Sequence, residues 1–222
     1  MPRRVLAALA ALGAAALLAS CAPKSTPGKS AQTGAPADSL KVGLVFDVGG
    51  RGDKSFNDAA YAGLERARKD LGVDFQTVET GEGTDREPAM RQMVASGARL
   101  VFGVGFLFSD DIRQLATEFP NTKFACIDYT VKEGEAIPPN LVALKFKEEE
   151  GSYLVGALAA KLSGTGTVGF VGGMEIPLIK KFEAGYKAGA RAARPGVKVL
   201  VKYAGNTGTA FKDPTKGKEL AL

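Results

Sequence analysis

The chain has no histidine and no tryptophan, and only two cysteines among its 222 residues. The lack of histidine removes the side chain that most often ligates metals and acts as a general base near neutral pH. This argues against a zinc enzyme or a histidine-dependent hydrolase. Two cysteines cannot frame a disulfide scaffold. There is also no long block of one charge sign: the net charge is +5, and the basic residues alternate with acids, as in Glu65-Arg66-Ala67-Arg68-Lys69-Asp70. That is the composition of a solvated helix face, with no basic stripe interleaved with aromatics, so nucleic acid is not an expected partner. The apolar run Val5 to Leu18, at 14 residues, is short for a membrane span.

That run has a different meaning. Arg3 and Arg4 precede it as a basic segment, and residues 1–20 read as a secretion signal. Leu18-Ala19-Ser20-Cys21 resembles a bacterial lipobox, after which cleavage leaves Cys21 as a lipidated N-terminus. Residues 21–40 are rich in Pro, Gly, Ser, Thr and Ala, cannot build a core, and read as a flexible tether. The expected location is the cell membrane, with a lipid-anchored globular body facing the periplasm or the cell exterior. Cys126 is left alone in an apolar strand pattern.

The body begins with Val42 to Phe46, an apolar run that fits a strand covered on both faces. It leads through Asp47, Gly49, Gly50 and Gly52 into a helix start at Asp53-Lys54-Ser55-Phe56-Asn57, capped by Ser55 or Asp53. Two phosphate-loop patterns fail here. Lys54-Ser55 matches the end of a Walker loop, but Val48 and Asp53 stand where its glycines belong; Gly50 and Gly52 open a dinucleotide pattern that meets Ser55 in place of its third glycine. The loop is either a ligand-binding turn at a strand end or an ordinary strand-to-helix connection, with Phe56 and Asn57 as plain first-turn residues.

Further β-α units follow. Helices are expected over Phe56 to Leu71, Glu87 to Ser96 and Ser109 to Phe119, and strands at Asp74 to Val78, Leu100 to Phe102, Phe124 to Ile127 and Leu141 to Leu144. Asp128 ends its strand as Asp47 ends the first, and the two acids occupy equivalent positions. With no histidine or further carboxylate cluster beside them, hydrogen bonding to a ligand is the expected role, and a turn role for Asp128 the alternative. A lobe boundary is expected near Lys145. The helix Glu148 to Leu162 should bury Tyr153, Leu154, Ala157 and Leu158, and a second series follows: strand Thr167 to Val171, helix Ile179 to Ala193, strand Val197 to Tyr203, then a helix capped by Asp213-Pro214. The expected organisation is an N-terminal α/β lobe over 41–145 and a partial C-terminal α/β lobe over 146–222, the second lobe incomplete in this chain.

Taken in order, the lipobox, the Asp-x-Gly-Gly loop with Asp53-Lys54-Ser55-Phe56-Asn57, Ile127-Asp128, the segment Glu149 to Gly156 and Val168 to Met174 resemble the basic membrane protein (BMP) family of ABC-transporter substrate-binding lipoproteins, similar to purine nucleoside receptors. The resemblance implies a type I periplasmic-binding-protein fold, two Rossmann-like lobes joined by a hinge and closing on a nucleoside. It implies base stacking on Phe56 and Phe211 and hydrogen bonding by Asp47, Asn57 and Asp128. The implied partners are a nucleoside, the permease and ATPase subunits of an ABC importer, and the membrane through lipidated Cys21. No enzymatic activity, cofactor or metal is implied. The alternatives are a type I receptor for a sugar or other small polar ligand, a surface sensor without transport, and a secreted nucleoside-processing enzyme using Asp47 or Asp128 as base.

Overall fold

The structure, a computed structural model, describes residues 39–81 and 85–222. The expected signal, tether and lipidated Cys21 lie outside the described residues. Five parallel strands form the first sheet: β1 (Lys41–Phe46), β2 (Asp74–Glu79), β3 (Leu100–Val104), β4 (Lys123–Ile127) and β5 (Leu141–Leu144). Their spatial order is β2-β1-β3-β4-β5. The chain steps from β1 to β2 on one side and then to β3 on the other. This reversal opens a crevice at the carboxyl ends of β1 and β3, where ligands bind in open α/β sheets.

The pleat of β1 explains its unbroken apolar run. Val42, Leu44 and Phe46 point into one buried cluster with Leu64 of α1 (Phe56–Leu71), while Val45 points into another with Met90 and Met93 of α2 (Arg86–Ala95) and Ile112 and Leu115 of α3 (Ser109–Glu118). A strand sandwiched between two helical layers has no solvent face and therefore no polar alternation. Each such Leu or Phe contributes on the order of 1.5–3 kcal/mol by burial. Helix α1 ends at Gly72 in the left-handed conformation, its N–H bonded to the Arg68 carbonyl, and α3 ends just before Pro120, as expected.

Lys145 to Lys147 lead from β5 into the second lobe, which comprises α4 (Glu148–Leu162), β6 (Thr167–Met174), α5 (Pro177–Ala193), β7 (Lys198–Gly205) and α6 (Pro214–Ala221). Strands β6 and β7 pair in parallel around α5 as crossover. Asp213 caps α6 as expected, its carboxylate accepting the Lys216 N–H at 2.8 Å. Strand β6 continues through Gly172 and Gly173 to Met174, past the expected strand end at Val171.

Helix α4 corrects the expected burial. Leu154 and Leu158 are 70% and 59% exposed, and the buried positions are Ser152, Gly156 and Ala160. The reason is a backbone-to-backbone contact with α5. A Cβ on Gly156 would overlap the Tyr186 carbonyl, one on Gly185 the Glu149 carbonyl, and one on Gly189 the Tyr153 carbonyl. Helices this close exclude large side chains from their seam, so the small-residue face is buried. At the lobe entrance Glu148, with a side chain only 2% exposed, pairs with Lys181 of α5 at 2.7 Å.

Candidate functional site

The loop after β1 is knit by its own carboxylates. Asp53 accepts the N–H groups of Ser55 at 2.9 Å, Asn57 at 2.8 Å and Asp58 at 3.1 Å. Of the two capping candidates, Asp53 therefore caps α1; Ser55 occupies the N-cap position without a side-chain capping bond. Burial pushes the Asp53 carboxyl upward, but the amides of Asn57, Ser55 and Asp58 outweigh it and hold the group below its ordinary value. Asp58 accepts Gly52 N–H at 3.0 Å and Lys54 N–H at 2.9 Å and pairs with Arg51 at 2.8 Å. The Arg51 guanidinium lies 3.5 Å from the centre of the Tyr61 ring. Amides that a phosphate cradle would present to an anion are thus taken by Asp53 and Asp58, which explains physically why both phosphate-loop patterns fail.

Asn57 is buried and ties this loop to the sheet. Its Oδ1 accepts the Asp47 N–H at 2.9 Å and its Nδ2 donates to Asp53 at 3.2 Å. Asp47 accepts Val48 N–H at 2.8 Å, and its second carboxylate oxygen rests against Gly105, at the end of β3. Gly105 has a φ of +105°, and a Cβ there would overlap that carboxylate; glycine is required on both counts. Burial raises the Asp47 carboxyl to about 6, against the opposing pull of Val48 N–H and Arg86, with a smaller upward push from Asp128.

Asp128 leaves β4 at a φ of +59°, a left-handed conformation that Asp adopts more readily than most residues. Its backbone N–H is bonded to the Leu144 carbonyl at 2.8 Å, which holds the turn in register with β5. Its Oδ1 is buried without a hydrogen-bond partner. Burial and then the Glu148 charge raise this carboxyl, opposed by Lys145 and Lys181. Cys126, behind it in β4, is buried, and its thiol is pushed up to about 12 by burial and by the Asp128 and Asp47 charges. It is a core residue whose Sγ lies 3.5 Å from the Gly105 carbonyl.

The second lobe supplies the facing wall. The 3-10 turn Gly208–Lys212 carries Phe211, whose ring packs against Gly173 of β6, where any Cβ would strike it. That ring meets Phe106, in the 3-10 turn Phe106–Phe108 after β3, edge to face at 5.9 Å and 68°. Between the walls lies a cavity of about 550 Å³ lined by Asp47, Phe56, Asn57, Asp128 and Phe211, the five residues singled out from the sequence, and also by Phe106, Phe182 and Lys212. A second hollow of about 520 Å³ adjoins it, sharing Val48, Gly49 and Lys212 and adding Glu79 and Asp213.

Phe106, an aromatic in a small-residue turn at the same sheet edge as Asp47, was not named among the expected site residues, and neither were the α5 residues Leu178, Ile179 and Phe182. For Phe106 a signal existed, since it follows a strand-end glycine as Asp47 follows β1. The α5 residues carried none, because an apolar first turn reads as core. Ser109, at the start of α3, donates to the Phe106 carbonyl at 2.6 Å and accepts Thr130 N–H at 2.9 Å. It thereby braces the turn that bears Phe106 against the segment after Asp128. Among the described residues no group of three or more Cys, Asp or Glu side chains is placed to hold a metal, and no helix is long and apolar enough to cross a membrane.

Comparison with known proteins adds an independent line. Residues 40–222 match a family model described as "ABC transporter substrate-binding protein PnrA-like". The chain is 33% identical over 226 aligned positions to a protein of Lactococcus lactis named "ABC transporter nucleoside-binding protein BmpA", covering 100% of this chain and 61% of the relative. It is 38% identical to an uncharacterized lipoprotein of Pyrococcus abyssi, covering 82% of this chain and 46% of that one. Among solved structures, a solute-binding protein of an ABC transporter system from Aeropyrum pernix K1 superposes with a TM-score of 0.70 at 34% identity, over 82% of this chain and 51% of that one. The chain spans about half the length of the curated relatives it matches.

Proposed function

Because the chain belongs to the PnrA-like family of ABC-transporter substrate-binding proteins, we propose that it is the receptor subunit of an importer and binds a nucleoside, most simply a purine nucleoside, between its two lobes. Its α/β fold of parallel sheets is the type I solute-binding fold that the sequence leads one to expect. The observation that carries the ligand class is the pairing of chemistries in one cavity: the aromatic rings of Phe56 and Phe211, and the carboxylates of Asp47 and Asp128, the latter with a buried oxygen lacking a hydrogen-bond partner. A ligand that satisfies both has flat apolar faces and several N–H or O–H donors. A nucleobase supplies the faces and a ribose the hydroxyls.

In this reading Phe56 and Phe211 take the base from the two lobes, and stacking contributes about 1–3 kcal/mol per aromatic. Asp47 and Asp128 accept hydrogen bonds from the ligand. Asn57 stands beside them, with its Oδ1 engaged by Asp47 N–H and its Nδ2 left with one further hydrogen to offer. The proposed roles involve no bond making or breaking, which suits a non-enzymatic receptor. Delivery to permease and ATPase subunits, and tethering at the outer face of the cell membrane through lipidated Cys21, belong to the same proposal. They are supported by relatives named as lipoproteins and ABC-transporter proteins.

Calorimetric titration of the full chain with inosine and guanosine tests this. Binding is expected, with Phe56→Ala weakening it roughly 5- to 150-fold, the equivalent of the stacking contribution. Heat evolved with ribose or myo-inositol but with neither nucleoside would overturn the assignment.

A further inference from the structure

Phe211 faces the cavity from a short 3-10 turn in the second lobe, and the residue that touches the foot of that turn belongs to the first. The Leu107 side chain covers Gly208, its Cδ1 lying 2.7 Å from where a Cβ on that glycine would stand, with Val48 Cγ2 at 3.8 Å on the same spot. Leu107 is the middle residue of the Phe106–Phe108 turn, between Phe106, which meets the Phe211 ring, and Phe108, which is fully buried in the first-lobe core. Leu107 does not line the cavity.

We infer that Leu107 is a positioning residue: seated on Gly208, it fixes the turn so that Phe211 is presented to the cavity, and it does so whether or not a ligand is present. The physical case rests on two anchor points. A five-residue turn held at Gly208 by Leu107 and at Phe211 by Phe106 and Gly173 has little freedom left to swing its aromatic ring. Held only at the Phe211 end, it would pay an ordering cost each time a ligand required that ring in place. The Phe108 anchor matters too, because it makes the tip that carries Leu107 a rigid extension of the core rather than a loose loop. Gly208 is the complementary half: a side chain there would occupy the space that Leu107 fills.

The inference concerns the geometry of Phe211, and only its effect on affinity rests on the nucleoside reading. The protein's lack of tryptophan provides a clean reporter. In the full chain, Phe211→Trp places a single indole at the site, and its emission maximum and acrylamide quenching are measured without ligand. Adding Leu107→Ala is expected to shift the emission to the red and to raise quenching about twofold as the ring becomes more accessible, with Leu107→Met restoring the parent values and far-UV circular dichroism unchanged. Gly208→Val attacks the contact from the other lobe and should give the same shift, which guards against a folding defect peculiar to one variant. Emission and quenching unaltered in both Leu107→Ala and Gly208→Val would show that the second lobe holds the turn unaided and would overturn the inference. On the Phe211 background, inosine affinity should fall about tenfold in Leu107→Ala, equivalent to one lost apolar contact. If the parent binds no nucleoside, the functional reading fails, while the indole comparison still decides the role of Leu107.

Discussion

The α4–α5 seam allows the same substitution to be predicted with opposite signs at two sites on one helix. Replacing a mid-helix glycine by alanine favours the helix by about 0.5–1 kcal/mol, because alanine loses less backbone entropy on folding. At Gly151, on α4, nothing lies within 4 Å of the added methyl group, so Gly151→Ala should realise that gain. At Gly156 of α4 and Gly189 of α5 the methyl group would overlap backbone carbonyls of the opposing helix, which cannot rotate aside as a side chain can. The helices must separate by about an ångström or more. Such overpacking costs typically 1–3 kcal/mol, and separation also loosens the cluster of Ala160, Tyr186 and Ala190 beneath. The cost offsets or exceeds the propensity gain, and a net loss of up to about 2.5 kcal/mol is expected for each. Urea unfolding of the full chain, followed by circular dichroism, measures all three. Gly189→Ala or Gly156→Ala unfolding at a higher urea concentration than the parent would refute the close packing of the seam.

Two further outcomes follow from the site. Asp47→Asn keeps the oxygen that accepts Val48 N–H but removes a partly buried charge. The native carboxyl rises from 3.8 to about 6, so the folded state is disfavoured where this group is ionised, above about pH 6, and the penalty fades as pH falls toward 3.8. The variant should therefore be more stable than the parent by about 3 kcal/mol at pH 7.5, with a smaller margin at pH 5, as read from thermal melts at the two pH values, while nucleoside binding weakens. In the loop, Asp53→Ala should cost about 1–2 kcal/mol, because it strips the acceptor from three helix-start amides. Ser55→Ala should change stability by less than about 0.5 kcal/mol, since its side chain makes no capping bond; equal losses from the two in chemical denaturation would reverse the assignment of the cap.

Much of the first lobe is legible in the sequence because its strands are buried on both faces and its helices carry broad apolar stripes. Val42 to Phe46 and the Ile112, Leu115 and Ala116 face are patterns in which hydrophobicity and burial coincide. Asp47 and Asp128 share one cavity because strand ends in a parallel sheet lie at one edge, so equivalent positions in successive units meet without any knowledge of loop detail; Phe211, in a turn of the other lobe, was expected there only from the family resemblance. Helix α4 is where this reasoning misleads. Tyr153, Leu154 and Leu158 look like a core stripe, yet the chain buries Ser152, Gly156 and Ala160. Small residues four apart on α4, together with Gly185 and Gly189 on α5, were the available signal, and it is one of shape rather than of hydrophobicity. The choice of Asp53 over Ser55 as cap was illegible for another reason: it depends on the path of a glycine loop whose φ values local sequence does not dictate. The wall contributed by Leu178, Ile179 and Phe182 depends on how the lobes face each other, which no local pattern encodes.

The glycine seam also limits how this molecule can move. Solute receptors change shape by rotating about connecting segments or by letting packed helices slide over a deformable layer of side chains. Between α4 and α5 that layer is absent where Gly156, Gly185 and Gly189 put backbone against backbone, so the pair behaves as a single girder. Any change of shape within this part of the second lobe must then be taken up outside the girder. At the root of α4, where Lys145 to Lys147 lead in from β5, a small twist would therefore turn α4 and α5 as one body.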